Sequence, residues 1–240
     1  MLWLLIRGGI YYAVMWSMRE LIDLFRYDGP TKEWGYYIYV RSIGFIAFYL
    51  FRILLIVLLF GRDLKLLVRY LGAPMSIGRS IRRVCFYTLM AFLITLCFYF
   101  WVVYLRLDWL MEPDLPADAY IYKYLIDPIR ESGVFGPVQF SMSAVLVGLA
   151  PMAEELLFRG VIFLILLAIF GRFPALVLSS VSFAFWHQVL PDQYNWYAIF
   201  QHAVLGFALG GILLRTHRLR WSIIFHSLWN SWVTGMQIIW

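Results

Sequence analysis

The chain has 240 residues, 63% of them hydrophobic and 14% charged, with a formal net charge of +6. Soluble domains carry about 25% charged and about 45–50% apolar residues, so a soluble core could not absorb this much apolar surface. The composition excludes a soluble globular protein and places the chain among all-α, polytopic membrane proteins. The positive balance calls for no nucleic acid, because the basic residues orient the chain and attract anionic lipid.

In chain order, Leu2–Met18 is an apolar stretch containing Arg7. It lacks a small-residue cleavage site and so stays in the mature protein. Tyr36–Phe60 reads as a span interrupted by Arg41 and Arg52, and Val84–Leu105 is a charge-free window of 22 residues. A helix needs about 20 residues to cross the hydrocarbon core. Gly136–Ala153 is charge-free and runs past Glu154, Glu155 and Arg159 into Gly160–Gly171. It is expected to form one long helix kinked at Pro151. Phe173–Trp186, Ala203–Leu214 and the apolar stretch from Trp221 complete the set. The expected architecture is a bundle of about seven transmembrane helices, with six to eight as the range.

Of the segments read as loops, Gly61–Arg83 is rich in Arg and Lys, Leu107–Phe135 carries six acids against Lys123 and Arg130, and Arg215–Arg220 is again basic. By the positive-inside rule the two basic segments are cytoplasmic and the acidic loop lies outside. This is a multi-pass protein, expected in the cell membrane. Cys85 and Cys97 lie in one predicted helix, 12 residues apart, too far to bridge at about 1.5 Å per residue.

After Glu131 only three acids remain, Glu154, Glu155 and Asp192. An ionised carboxylate in hydrocarbon costs several kcal/mol, so acids inside the membrane are functional candidates. On an α-helix Glu155 and Arg159 are i and i+4 neighbours, whereas Glu154 points about 100° away. Arg159 therefore reaches Glu155 and leaves Glu154 over to move a proton. A structural ion pair locking helices together is the competing reading. Phe183 and His187 share a helical face, as do His226 and Asn230. Core packing explains the first pair equally well, and interhelical hydrogen bonding the second. Together, two Glu, two His and an Asn make a kit for activating water and stabilising an oxyanion. His202 and His217 are assigned to packing.

Glu154-Glu155-x-x-x-Arg159, then Phe183-x-x-x-His187, then His226-x-x-x-Asn230 resembles the ordered signature of the CAAX-processing and bacteriocin-processing (CPBP, or Abi) intramembrane endopeptidases. The segments Ala150-Pro-Met-Ala-Glu-Glu-Leu-Leu-Phe-Arg-Gly160 and Phe207-Ala-Leu-Gly-Gly-Ile-Leu-Leu-Arg-Thr-His217 are similar too. The likeness covers Val138–Asn230. It divides the chain into N-terminal helices with the extracytoplasmic loop (1–135), where no likeness is placed, and a catalytic core (136–240). The resemblance implies a helical membrane protease acting on membrane-associated peptides or proteins. By it Glu154 is the catalytic base, His187 positions the water, and His226 and Asn230 are oxyanion donors. Glu155, Arg159 and Phe183 are supporting residues.

Glu154, His187 and His226 are also a ligand set for zinc. The spacing is not diagnostic of a metal site, and chemistry without a cofactor is favoured. Two other functions compete: a transporter or ion pathway using the Glu/His cluster as a proton relay, and a scaffold retaining the motifs for stability. One difficulty concerns depth. His187 falls near the outer end of its helix and His226 near the inner end of its own, yet both must meet Glu154. Either Phe173–Leu190 extends into Pro191-Asp192-Gln193, or a span is bent, tilted or re-entrant.

Overall fold

A computed structural model describes residues 3, 6–15, 34–73, 75–105, 143–187 and 196–239. Among the described residues every regular element is helical. These are α1 (residues 6–15), α2 (Trp34–Leu71) and α3 (Ile77–Tyr104), then a helix that changes type along its length. It begins with a π segment (Val145–Leu149), becomes α4 (Ala150–Glu155), turns π again (Leu156–Ile162) and ends as α5 (Phe163–Phe170). The chain continues as α6 (Arg172–Trp186), α7 (Trp196–Thr216) and α8 (Leu219–Ile239).

Both α3 and α7 are long and apolar enough to cross a membrane, and α6 is a shorter apolar helix. Leu58, Leu89, Phe100, Phe173, Leu228 and Trp232 are each more than half exposed. Large apolar side chains turned outward in such number form a surface that lipid, rather than water, would cover.

Two boundary expectations change. Gly61–Arg83 is not a loop: α2 runs to Leu71, α3 starts at Ile77, and only residues 72–76 connect them. Charge marks where the hydrocarbon would end, but Arg, Lys and Leu are all good helix formers, so the helices continue past it. The long helix at 143–170 is continuous, as expected, but carries π turns on both sides of α4. Pro151 has no N–H and its ring crowds the carbonyl of residue 147 in a regular helix, and the π segment ends just before it. The acidic segment 107–135, the side chain of Arg41 and Pro191-Asp192-Gln193 lie outside the described residues. Cys85 and Cys97 are free thiols.

The chain divides into two compact units. One comprises Asp63–Ala119 and Leu157–His226. Within it α3 and α7 run antiparallel. At one end the Met75 N–H donates to the Thr216 carbonyl at 3.2 Å, and Nδ1 of His217 bonds the Ala73 carbonyl at 2.9 Å. At the other end Phe98 packs on Phe200 (centroids 3.9 Å apart) and stacks with Tyr197. The basic stretches around Arg79–Arg83 and Arg215–Arg220 thus share one end, as the charge pattern requires of two segments on one side of a membrane. His217 has the structural role expected of it, joining the two turns. Helices α5 and α6 form a hairpin through Gly171 alone, whose φ of 80° is open to glycine at little cost. Leu67, Leu71, Phe163, Leu167, Leu176 and Leu213 form the core there.

Small residues bring α6 against α7. A Cβ on Gly206 would lie 3.0 Å from the Ser180 Cα, and one on Gly210 would overlap the Leu176 side chain. Helices in lipid associate through this kind of close approach, because apolar burial alone gives them little preference for each other.

The other unit comprises Met1–Arg62, Tyr120–Leu156 and Ser227–Trp240, and so draws on both sides of residue 135. Here α1 runs antiparallel to α2. Arg7 donates to the Leu59 carbonyl at 2.7 Å and lies over the Phe60 ring, while Arg52 Nε donates to the Tyr11 hydroxyl at 2.7 Å. Arg7, the charge that disturbed the first apolar window, thus meets a carbonyl and an aromatic face.

Replacing Gly206 by Ala forces a methyl against the Ser180 backbone. The expected cost is about 1–3 kcal/mol, the usual range for overpacking, measurable as a lower unfolding midpoint in detergent micelles. An unchanged midpoint would show that α6 and α7 are not in this contact.

Candidate active site

Glu154 and Glu155 close the α4 stretch, and both are buried, Glu154 at 6% exposure and Glu155 at 0%. Arg159, also fully buried, lies in the π segment that follows. A π-helix bonds i to i+5, so its wider turns carry side chains to different angles from an α-helix. Glu155 thus ends the α stretch and Arg159 stands in the π stretch that follows it.

In its own compact unit Glu154 lies within electrostatic range of Arg52, Tyr49 and Tyr11. These three hold one another: Arg52 donates to the Tyr11 hydroxyl, and its guanidinium carbon sits 5.9 Å from the Tyr49 ring centroid. None of the three figured among the candidate site residues. The available signal was an isolated arginine inside an apolar window, a residue type that is rare and functional at membrane depth.

In the other unit the Phe183 ring is the hub. The Arg159 guanidinium carbon lies 4.3 Å from its centroid, and the rings of His187 and His226 lie at 4.4 and 5.6 Å. Phe158 packs edge-on to the same ring at 5.2 Å. A guanidinium this close to an aromatic face gains a cation–π attraction that strengthens as water is removed. Arg159 also donates from an NH2 nitrogen to the Gly206 carbonyl at 3.0 Å. The close approach at Gly206 therefore supports packing and also brings a carbonyl to a buried cation. Ser222 pins the start of α8 to α7, its Oγ donating to the Leu209 carbonyl at 2.9 Å, one turn before His226. His226 itself is buried at 2% exposure.

His187 is the C-cap of α6, not a residue within it, and its N–H reaches back to the Ala184 carbonyl. An extension of the helix through His187 is therefore not what is observed. Irregularity lies instead in the helix carrying Glu154, with its two π segments. Nδ1 of His187 bonds the Phe183 carbonyl at 2.8 Å, and Nδ1 of His202 bonds the Ala198 carbonyl at 2.7 Å. A carbonyl only accepts, so Nδ1 carries the proton in each ring and Nε2 is the acceptor when the ring is neutral. The two imidazoles stack at 4.3 Å with planes 16° apart. His202, assigned to packing from sequence, is thus a direct neighbour of a candidate catalytic residue. Its position beside Gln201 within an apolar stretch offered little to distinguish it.

Asn230 is half-buried and donates from Nδ2 to the Leu146 carbonyl at 2.9 Å. That carbonyl belongs to the first π segment, where the i→i+4 ladder is interrupted. Asn230 thus has a structural bond and a second amide N–H to give. Among the described residues no three His, Cys, Asp or Glu gather as metal ligands. Nor do the nearly parallel His187 and His202 rings suit one ion, since in-plane lone pairs must meet it at about 2.0–2.1 Å.

Residues 136–232 match the protein family described as type II CAAX prenyl endopeptidase Rce1-like. This matched segment is Rce1-like. The resemblance to the CPBP endopeptidases is thereby shown over a stretch that contains every candidate residue read from the motifs. No curated protein and no solved structure matches the chain. Arg52, Tyr49 and Tyr11 lie outside the Rce1-like segment, whereas His202 lies within it.

Truncating Phe183 to Ala removes the ring that Arg159 and the two candidate histidines share. The expected loss is about 3–5 kcal/mol, the range for large aromatic truncations in cores, read as a drop in unfolding midpoint in micelles. Phe183→Leu is expected to recover part of it. A fully stable Phe183→Ala protein would mean that the ring is not the hub.

Proposed function

We propose that the protein is a multi-pass intramembrane endopeptidase of the cell membrane that hydrolyses membrane-associated peptides or proteins with a glutamate-activated water. The observation that carries this reading is the Rce1-like match, which spans all three motifs intact and in order. Burial of Glu154 and His226 among apolar helices supports it, since charge and imidazole are kept there only at a cost in free energy.

In this mechanism Glu154 accepts a proton from water as the water oxygen attacks the scissile carbonyl carbon. His187, its ring fixed by the Phe183 carbonyl, offers Nε2 to hold that water. The carbonyl oxygen becomes an oxyanion stabilised by N–H groups of His226 and Asn230. As the C–N bond breaks, the proton held on Glu154 passes to the leaving amine, and the carboxylate is restored. Glu155, Arg159 and Phe183 support the site. The reaction is proposed to need no metal.

Comparing the membrane peptidome of cells with the wild-type protein and with Glu154→Ala tests this reading. Cleavage is expected to fall by about 10²–10⁴-fold, the usual contribution of a general base, while the variant still inserts. The products lost identify the substrate and whether it bears a prenyl group. Normal processing by Glu154→Ala would overturn the assignment. Activity is further expected to survive exhaustive chelation, and its loss with rescue by zinc would replace the metal-free mechanism.

A further inference from the structure

We propose that His202, on α7, is a positioning residue for His187: its ring stacks on the His187 imidazole and fixes the plane in which Nε2 meets the attacking water. The inference rests on the reading of His187 as the residue that holds that water. It adds to the site a histidine that lies outside all three motifs.

A histidine ring is poorly fixed by its own bonds, because rotation between Cβ and the ring is broad rather than held in staggered wells. His187 is the C-cap of α6 and half-buried, so contacts from elsewhere have to set its orientation. One is the bond from Nδ1 to the Phe183 carbonyl at 2.8 Å, which anchors a single edge of the ring. A second is the Phe183 ring, with its centroid 4.4 Å away and its plane tilted by 59°. The third is the His202 ring at 4.3 Å, only 16° from parallel. Phe183 and His202 have centroids 6.2 Å apart, so from His187 they lie at about a right angle to each other. Phe183 therefore stands beside the imidazole, and His202 covers one of its faces. An edge bond and a neighbour to one side leave the ring a swing about that bond. A parallel ring on its face removes it.

His202 is itself held. Its Nδ1 bonds the Ala198 carbonyl at 2.7 Å, one turn earlier on α7, so it presents a fixed flat surface. Helix packing sets where that surface lies. His202 and Gly206 are i and i+4 on one face of α7, and at Gly206 that face meets Ser180 of α6. The close approach that brings the Gly206 carbonyl to Arg159 thus also brings His202 to His187. Filling space there would be met by leucine, without the cost of desolvating an imidazole. What leucine lacks is the flat ring pinned by its own helix.

The test compares His202→Ala, His202→Leu and His202→Phe in the full-length protein in proteoliposomes, with a peptide whose cleavage Glu154→Ala abolishes as the probe. Misplacing a group that orients a reactant acts on turnover, so kcat is expected to fall about ten- to a hundredfold in the Ala and Leu variants. KM should change less than about twofold, since substrate binding is untouched. His202→Phe, which restores a flat ring, should recover most of kcat. A ring that only filled space would be replaced as well by Leu as by Phe, so equal turnover in those two variants overturns the inference, whether both are high or both low. A second readout needs no activity. In protein with isotope-labelled histidine in micelles, the His187 ring signals are those lost in His187→Gln. Removing the stacked ring should move them downfield and broaden or split them as the imidazole takes a second orientation, and His202→Phe should reverse this. Unmoved, single His187 signals in His202→Leu overturn the inference, including where His202→Ala does not fold. Should Glu154→Ala abolish no cleavage, the proteolytic reading fails, and the His187 signals alone decide whether His202 fixes the ring.

Discussion

A charge taken out of water must be met by an opposite charge, a hydrogen bond or an aromatic face, and this requirement organises most of what the described helices do. Arg52, Glu154, Glu155, Arg159 and His226 are all buried in an otherwise apolar protein. Desolvating each costs several kcal/mol before any partner is counted. Arg159 meets the Gly206 carbonyl and the Phe183 ring, and Arg52 meets the Tyr11 hydroxyl and the Tyr49 ring. Even Arg7, nearer the chain start, has a carbonyl and a ring.

Meeting those demands constrains the backbone. Helix α6 must come close to α7 for Phe183 and the Gly206 carbonyl to reach the same guanidinium, and a glycine against Ser180 permits it. The helix carrying the glutamates departs from α geometry on both sides of them. π turns recur at functional positions because they turn side chains and carbonyls away from the regular ladder. Here one such carbonyl, that of Leu146, is met by Asn230, a motif residue. Packing and candidate chemistry therefore use the same residues, and a substitution at the hub is expected to disturb both.

Much of the helical plan was legible in the sequence, because hydrocarbon thickness and charge exclusion act on local runs of residues. Phe173–Trp186 and Ala203–Leu214 fall inside observed helices, and Val84–Leu105 does so up to Leu105, the C-cap of α3. The two basic segments placed on one side by their charge do share an end. Boundaries were less legible. Arginine and lysine end an apolar window without ending a helix, so a 61–83 loop was expected where α2 and α3 nearly meet. The π turns around α4 were also hidden, since a proline signals a disturbance but not its form.

The ordered Glu, His and Asn motifs, and with them the likeness to the Rce1-like family over residues 136–232, were legible in the sequence alone, because each motif is a spacing within one helix. Which residues share a neighbourhood was decided only by the tertiary structure. Arg52 and Tyr11 are separated by 41 positions, and nothing local to either names the other. His202 on α7 joins His187 at the end of α6 in the same way. Spacing along one helix can say which side chains share a face. It cannot say what the facing helix brings, and for a buried charge such as Arg159 the carbonyl and the ring come from two other helices.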